Sequence, residues 1–390
     1  MKIAYIGDFI NHGSSLKTPG TSLIILLSRM ENVASIDVYC PKLNKITEKF
    51  QTPENVKIIN FYMYNHPLSI MKLLHIPWNN YDFVIFNMLP TGYGTSSISN
   101  AIALLIPLIL TKVLRMNNIR IIYHNSVFTN DVKALGYNSI FNRIRAYLLG
   151  KVEKTLFKNV KTFVILNLYK ERIDKAIGKN LVQMMDTRYL DAITTVYMNN
   201  VINERTYNIV NSKIPIVLLH GFWGPQKNIE LALYSLSQLR KNGIKFKLII
   251  SGGINSHFLD YENKFKEYLD LYSDVIDEYL GLLKEKDIMG IFLQADLAIL
   301  PYNTPGGHSG VLDQTMFFDV PTIAFDFPEY REQARENPLV NFTKPEDLYR
   351  VLMLSFKHLK KNEIIEIQKK VLFVQNNIKL ILEERIKGDN

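Results

Sequence analysis

A chain of 390 residues, 47% apolar and 21% charged, is long enough for two cores and too apolar for extensive disorder. Its single cysteine, Cys40, excludes an intramolecular disulfide and fits a reducing, cytoplasmic interior. The net charge of +9 is uneven: residues 1–200 hold 23 Lys and Arg against 12 Asp and Glu, so the first half is the basic one and suits an anionic partner such as a membrane surface.

The first residues, Met1 to Ile6, form an apolar run cut at Asp8 without a small-residue cleavage site, unlike a signal peptide. The most apolar stretch, 101–110, contains Pro107 and stops before Lys112, short of the ~20 residues that span a bilayer. In chain order, strands are expected over 2–6, 36–40, 56–61, 83–86, 120–123 and 162–166. Helices are expected between them over 21–30, 96–116, 140–157 and 169–177. Such alternation implies parallel strands with crossover helices. The polar stretch 203–213 reads as a linker. A second series follows, with strands over 216–219, 246–250, 276–279, 297–300 and 322–325, and helices over 229–241, 261–272, 288–295 and 310–318. Two last helices, 345–359 and 363–385, are expected without a strand between them. The domain expectation is therefore 1–202, a linker at 203–213, 214–362, and a C-terminal helix over 363–390 that packs back on the first domain.

The most informative stretch is Ala295-Asp296 and Pro301, then Gly306-Gly307-His308-Ser309-Gly310-Val311, then Gln314-Thr315-Met316, Val320-Pro321 and Ile323-Ala324. A buried strand ends in a small-residue loop that opens a helix, and the first amides of such a helix carry partial positive charge suited to a diphosphate. A tight turn without ligand would give the same local pattern. A second element, His220-Gly221-Phe222-Trp223-Gly224-Pro225-Gln226-Lys227, follows strand 216–219.

Together these resemble the donor site of GT-B glycosyltransferases, in particular the retaining glycosyltransferase family 4, or glycosyl transferases group 1. The likeness is sharp over residues 295–332 and loose elsewhere. It implies an α/β fold of two Rossmann-like doubly wound domains facing a cleft, and a nucleotide sugar such as a UDP- or GDP-hexose as substrate, without cofactor or metal. It also implies donor-binding roles for Gly221, Gly253, Gly307, His308, Ser309, Gly310, Val311 and Gln314, with the base near Gly252-Gly253 and Gly281-Leu282. Lys227 matches the family's diphosphate lysine, and the resemblance places Glu329 and Glu332 near its later acidic position. His124, at the end of strand 120–123, matches a histidine that faces the donor sugar; Lys227 and His124 are the catalytic candidates. Asp8, Gly13 and Gly20 correspond to the acceptor-side loop, although an aspartate there also caps turns.

The chain departs from the family at three points. Gly306 and Gln314 stand where two glutamates eight positions apart are usual, and Phe222 stands in place of an arginine. A glutamine still accepts one hydrogen bond from a ribose hydroxyl. These losses leave open a catalytically inactive nucleotide-sugar-binding protein, and the basic half leaves open a DNA-modifying glucosyltransferase, although nucleic acid is the less expected partner. The acceptor expected first is lipid-linked or a glycan, with peripheral contact to an anionic membrane through helix 96–116 or the neighbourhood of Trp78. There is no Asp-x-Asp pair for a diphosphate-bound cation, no Cys/His cluster, no phosphate-binding G-x-x-x-x-G-K-[ST] loop and no G-x-S-x-G elbow. The histidines are scattered, without metal-ligand spacing.

Overall fold

The computed structural model describes residues 1–9, 17–42, 50–89, 93, 97–126, 128, 140–204, 207–208, 214–255, 258–304, 307–359 and 364–383. The chain divides into two compact units, Met1–Leu190 with Leu372–Asn390, and Asp191–Val371.

The first unit is built on seven parallel strands: β1 (Lys2–Ile6), β2 (Ser35–Pro41), β3 (Val56–Tyr62), β4 (Phe83–Met88), β5 (Ile119–Tyr123), β6 (Lys161–Val164) and β7 (Val182–Met184). Their order is β3-β2-β1-β4-β5-β6-β7. Every residue of β4 and β5 is buried, which is why these central strands read as continuous Ile, Val, Phe and Tyr rather than as alternating patterns. Helix Lys17–Ser28 seats Leu23 to Leu27 in the core, and helices Ser97–Lys112 and Ile140–Asn159 pack together. Helix Ser97–Lys112 stops four residues earlier than the apolar pattern suggested. Arg115 takes a left-handed φ of 54°, and the Met116 amide turns back to the Leu110 carbonyl. Near the chain end, the Phe373 ring meets Tyr189 at 5.7 Å and lies under the Arg188 guanidinium.

In the second unit, β8 (Tyr207–Asn208) precedes six parallel strands: β9 (Ile216–His220), β10 (Lys247–Ser251), β11 (Glu278–Tyr279), β12 (Leu297–Leu300), β13 (Thr322–Phe325) and β14 (Val340–Thr343). Their order, β11-β10-β9-β12-β13-β14, repeats that of β3 to β6 around β1. The core joins Val217 and Leu219 of β9, Leu248 and Ile250 of β10, and Ile299 of β12 to Ile229, Leu233, Leu236 and Leu239 of helix Ile229–Lys241. Where 203–213 was expected to be a plain linker and the last helices to follow each other without a strand, β8 instead pairs antiparallel with β15 (Ile364–Ile365). Two-residue strands show no period and are invisible to pattern reading. The same brevity hid the three-residue β7. In both sheets the central pair, β1 with β4 and β9 with β12, send their connections to opposite sides, and ligands of such sheets bind at the carboxyl ends of this pair.

Candidate functional site

Beyond the carboxyl end of β9, the chain makes its tightest approach in the second unit. Gly252 has φ +112°, and a Cβ built on it would lie 1.7 Å from the Gly221 carbonyl oxygen, so only glycine fits. The Gly221 amide donates to the Ser251 carbonyl at 3.2 Å, Trp223 donates to Gly253 at 2.8 Å, and Gly252 donates to Gly281 at 2.6 Å. The Gly221, Gly252-Gly253 and Gly281-Leu282 loops thus form one hydrogen-bonded layer of backbone.

A short 3-10 turn, Pro225–Lys227, then carries Lys227. Its Nζ sits over the Tyr302 ring, 3.3 Å from the centroid. The Tyr302 hydroxyl and Val311 Cγ2 are each 3.6 Å from where a Gly221 Cβ would be. The loops after β9 and β12 therefore converge, pinned by the Asn303 amide on the Gln226 carbonyl at 2.8 Å. Burial pulls the Lys227 ammonium down to about 7. The same burial, with Lys227 alongside, takes His220 down to about 4, so this imidazole is neutral and bonds Ser251 Oγ at 2.8 Å. An amine held this way, next to a layer of glycine backbone, gains charge and solvation substitute together when an anion arrives.

Helix Gly310–Phe317 begins where the motif places it. Ser309 is its N-cap, with Oγ accepting from the Leu312 amide, and Gly307 precedes it at φ +93°. Lys370 closes the other end, donating to the carbonyls of Met316 and Phe317 and pairing with Asp319 at 2.7 Å. One expectation needs correction. The Ser309 amide is not available to a diphosphate, because the buried Gln333 side chain accepts from it at 2.9 Å. Gln333 Nε2 returns bonds to the Ser309 carbonyl and to Asp313 Oδ1. The Ser309 Oγ serves the cap as an acceptor, which leaves its hydroxyl proton to donate. Among the motif's candidates, Gly307, His308, Gly310 and Val311 remain at the opening of the helix. Gln314 is buried within it, as is Glu329 in helix Pro328–Ala334, whereas Glu332 is half-buried. Gly306 lies outside the described residues.

Beside this opening stands a group that sequence spacing does not reveal. Asp191, on helix Leu190–Met198, lies against Gly310, where a Cβ would be 3.1 Å from the carboxyl carbon. His308 is flanked by Asp191 at 3.8 Å from Nδ1 and by Asp313 at 3.4 Å from Nε2. Burial, then the neighbouring charge of Asp313, holds the Asp191 carboxyl above the ordinary range, with His308 pulling the other way. These three residues can each offer a ligand atom within 4.8 Å of the others, so the scattered histidines do include one with metal-ligand geometry.

The first-unit candidates gather at the equivalent ends of β1, β4 and β5. Asp8 is buried and accepts a short hydrogen bond from the Tyr64 hydroxyl. Gly20 leaves no room for a side chain: a Cβ would lie 2.4 Å from the Asp8 carbonyl oxygen and 2.7 Å from the Tyr5 hydroxyl. His124 is half-buried, with Nε2 on Asn87 Oδ1 at 2.6 Å and its amide on the Met88 carbonyl. Just beyond it, Ser126 and Tyr123 both donate to the fully buried Glu153. Gly13 lies outside the described residues. Asn87 and Glu153 were missed because each sits inside an otherwise regular element; polar residues at core positions of β4 and helix Ile140–Asn159 were the available signal.

Residues 202–374 match the family model described as Glycosyl transferases group 1. No curated protein matches the chain in sequence. Among solved structures, the fold is similar to sucrose-phosphate synthase from Thermosynechococcus elongatus, with TM-score 0.63 and 13% identity over 97% of this chain and 94% of that one. It is similar to HepE from Anabaena in complex with UDP and glucose, with TM-score 0.62 and 13% identity over 98% and 99%. It is also similar to WaaG, a glycosyltransferase involved in lipopolysaccharide biosynthesis, with TM-score 0.58 and 12% identity over 98% and 96%. With its two parallel α/β units the chain has the GT-B fold, and its segment from β8 to β15 matches the glycosyl transferases group 1 model.

Proposed function

We propose that the protein moves a hexosyl group from a UDP- or GDP-hexose to a lipid-linked or other glycan acceptor, in the cytoplasm and at an anionic membrane surface. The observation that carries this is the Lys227 amine, held over Tyr302 between the Gly221 loop and the opening of helix Gly310–Phe317. In this reading the diphosphate lies on the amides of Gly307, His308, Gly310 and Val311, and Lys227 gains a proton as the anion arrives. The ammonium then neutralises charge that builds on the leaving diphosphate, which is the task a metal performs in other glycosyltransferases, so the transfer itself needs none. His124, fixed by Asn87, and Asp8 are assigned to the sugar and to an acceptor hydroxyl by the family resemblance alone. HepE, solved with UDP and glucose, supports a uridine nucleotide as the first donor to test.

The membrane part rests on the first unit. No helix among the described residues is long and apolar enough to cross a bilayer. Helix Ile140–Asn159 exposes Ile144, Tyr147 and Leu148 on the face that continues into Lys151 and Lys158. The end of helix Ser97–Lys112 exposes Lys112, Val113, Leu114 and Arg115 together. Apolar side chains bordered by lysine and arginine suit the headgroup layer of an anionic leaflet.

The test is release of free nucleotide from a panel of UDP-, GDP- and TDP-hexoses, with and without anionic vesicles that carry a lipid-linked sugar. Turnover of one donor, stimulated by vesicles and insensitive to EDTA, is expected. Binding of nucleotides without any sugar release would overturn the transferase reading, and strict EDTA sensitivity would overturn its metal-free form.

A further inference from the structure

The cluster beside the donor helix has chemistry that sugar transfer does not use. Asp191, Asp313 and Glu285 bring three carboxyl groups within electrostatic reach of one another, against one imidazole, His308. Asp313 is wholly buried. Its Oδ1 accepts from Gln333, but its Oδ2 meets no hydrogen-bond donor. A buried carboxylate oxygen without a donor calls for positive charge.

The geometry allows that charge to be a metal ion. His308 Nε2 and Asp313 Oδ1 are 3.4 Å apart, close to the roughly 3.3 Å between neighbouring ligands on a tetrahedral centre with bonds of about 2.0–2.2 Å. Asp191 supplies a third ligand atom within 4.8 Å of both. Gln333 donates to that same Oδ1 and holds the Asp313 carboxylate in place, as outer partners of metal ligands do. Gly310 keeps the approach of Asp191 open, and the partly exposed His308 leaves a way in.

We propose that Asp191, His308 and Asp313 bind one divalent cation of the Zn²⁺ or Mn²⁺ type, which staples helix Leu190–Met198 to the opening of helix Gly310–Phe317. One imidazole with two carboxylates favours such borderline ions over Mg²⁺ or Ca²⁺, which prefer oxygen alone. The cation adds stability beside the donor loop and takes no part in the transfer, which Lys227 serves, so turnover persists in the stripped chain. The inference is independent of which nucleotide binds.

The test uses the full-length, tag-free chain, stripped with a chelator, and ZnCl₂ or MnCl₂ alone. Calorimetry is expected to show one equivalent bound per chain, with a rise in melting temperature on loading. Asp313→Asn and His308→Gln are each expected to weaken binding at least tenfold and to abolish the thermal shift. Asp313→Asn keeps the size of the side chain, and Asp191→Asn replaces it should that variant not fold. No binding at millimolar metal, or equal affinity in the parent and the variants, overturns the proposal. In the first case the carboxyl pair is satisfied by a shared proton instead.

Discussion

The two units place functional side chains at matching positions of matching sheets, yet the two sets differ in charge. At the ends of β1, β4 and β5 stand a carboxylate, an amide and an imidazole: Asp8, Asn87 and His124. Beyond β9 and β10 stand an amine and a layer of glycine backbone: Lys227 with Gly221, Gly252 and Gly253. Acceptors and neutral donors suit hydroxyl groups, whereas an amine suits an anion. One scaffold thus carries polar sets of different charge in its two units, set by a few residues at the strand ends and not by topology.

The largest effect that would sharpen this contrast is at Lys227. Lys227→Ala is expected to lower turnover about 100- to 1,000-fold, the usual cost of removing one preorganised charge from a transition state. It should also erase stabilisation by UDP, while Asp8→Asn leaves UDP-induced stabilisation intact. Equal loss of nucleotide binding in both variants, measured by thermal shift, would dissolve the division of labour.

Next in size is Gly252→Ala. The new methyl would meet the Gly221 carbonyl oxygen at 1.7 Å, so backbone must move in a packed layer. A loss of roughly 3 kcal/mol or more in unfolding free energy is expected, the range of the severe backbone effects. Gly281→Ala, which meets nothing within 4 Å, pays only the strain of φ +61° and should cost clearly less. Denaturant melts of the two variants check the order.

Much of this layout was legible in the sequence, and the reasons for the remainder are physical. Long buried strands such as β4, β9 and β12 announce themselves because parallel strands are apolar on both faces. The helix starting at Gly310 was marked by its serine cap and glycines. The partners of that helix were not: Asp191 and Gln333 approach from 119 residues before and 23 residues after it in the chain, and only folding reveals them. That is also why the Ser309 amide looked available. A backbone donor opening a helix is an anion site only if no side chain reaches it first, and Gln333 does.

A smaller effect is expected in the first unit. His124→Asn removes an imidazole that Asn87 holds in place and should lower kcat roughly 10- to 100-fold, the worth of one hydrogen bond to a charged group, with the donor KM little changed. Asn87→Ala frees the ring without removing it and should give part of the same loss. Were Asn87→Ala to raise the donor KM alone, Asn87 would be a binding residue and not the positioner of His124.

The smallest effect is the pH dependence of nucleotide binding, and its sign follows from Lys227. Burial holds the free amine at about 7, below its unfolded value, so the folded chain binds this proton less readily than the unfolded one. Stability from this group is therefore lowest below pH 7 and recovers as pH rises from about 7 toward the unfolded value of about 10.4. Binding of a diphosphate runs oppositely, because only the ammonium attracts it. Above pH 7 a terminal phosphate, with its second pKa near 6, is already ionised, so affinity for UDP should fall as pH rises, by at most about tenfold per unit. Lys227→Arg keeps its charge throughout and should flatten the profile, whatever it costs in affinity at neutral pH. Calorimetry of UDP binding between pH 7 and 9 decides it: a flat profile in the parent chain would mean that the amine is already charged before the anion arrives, and that its burial over Tyr302 is not what tunes the site.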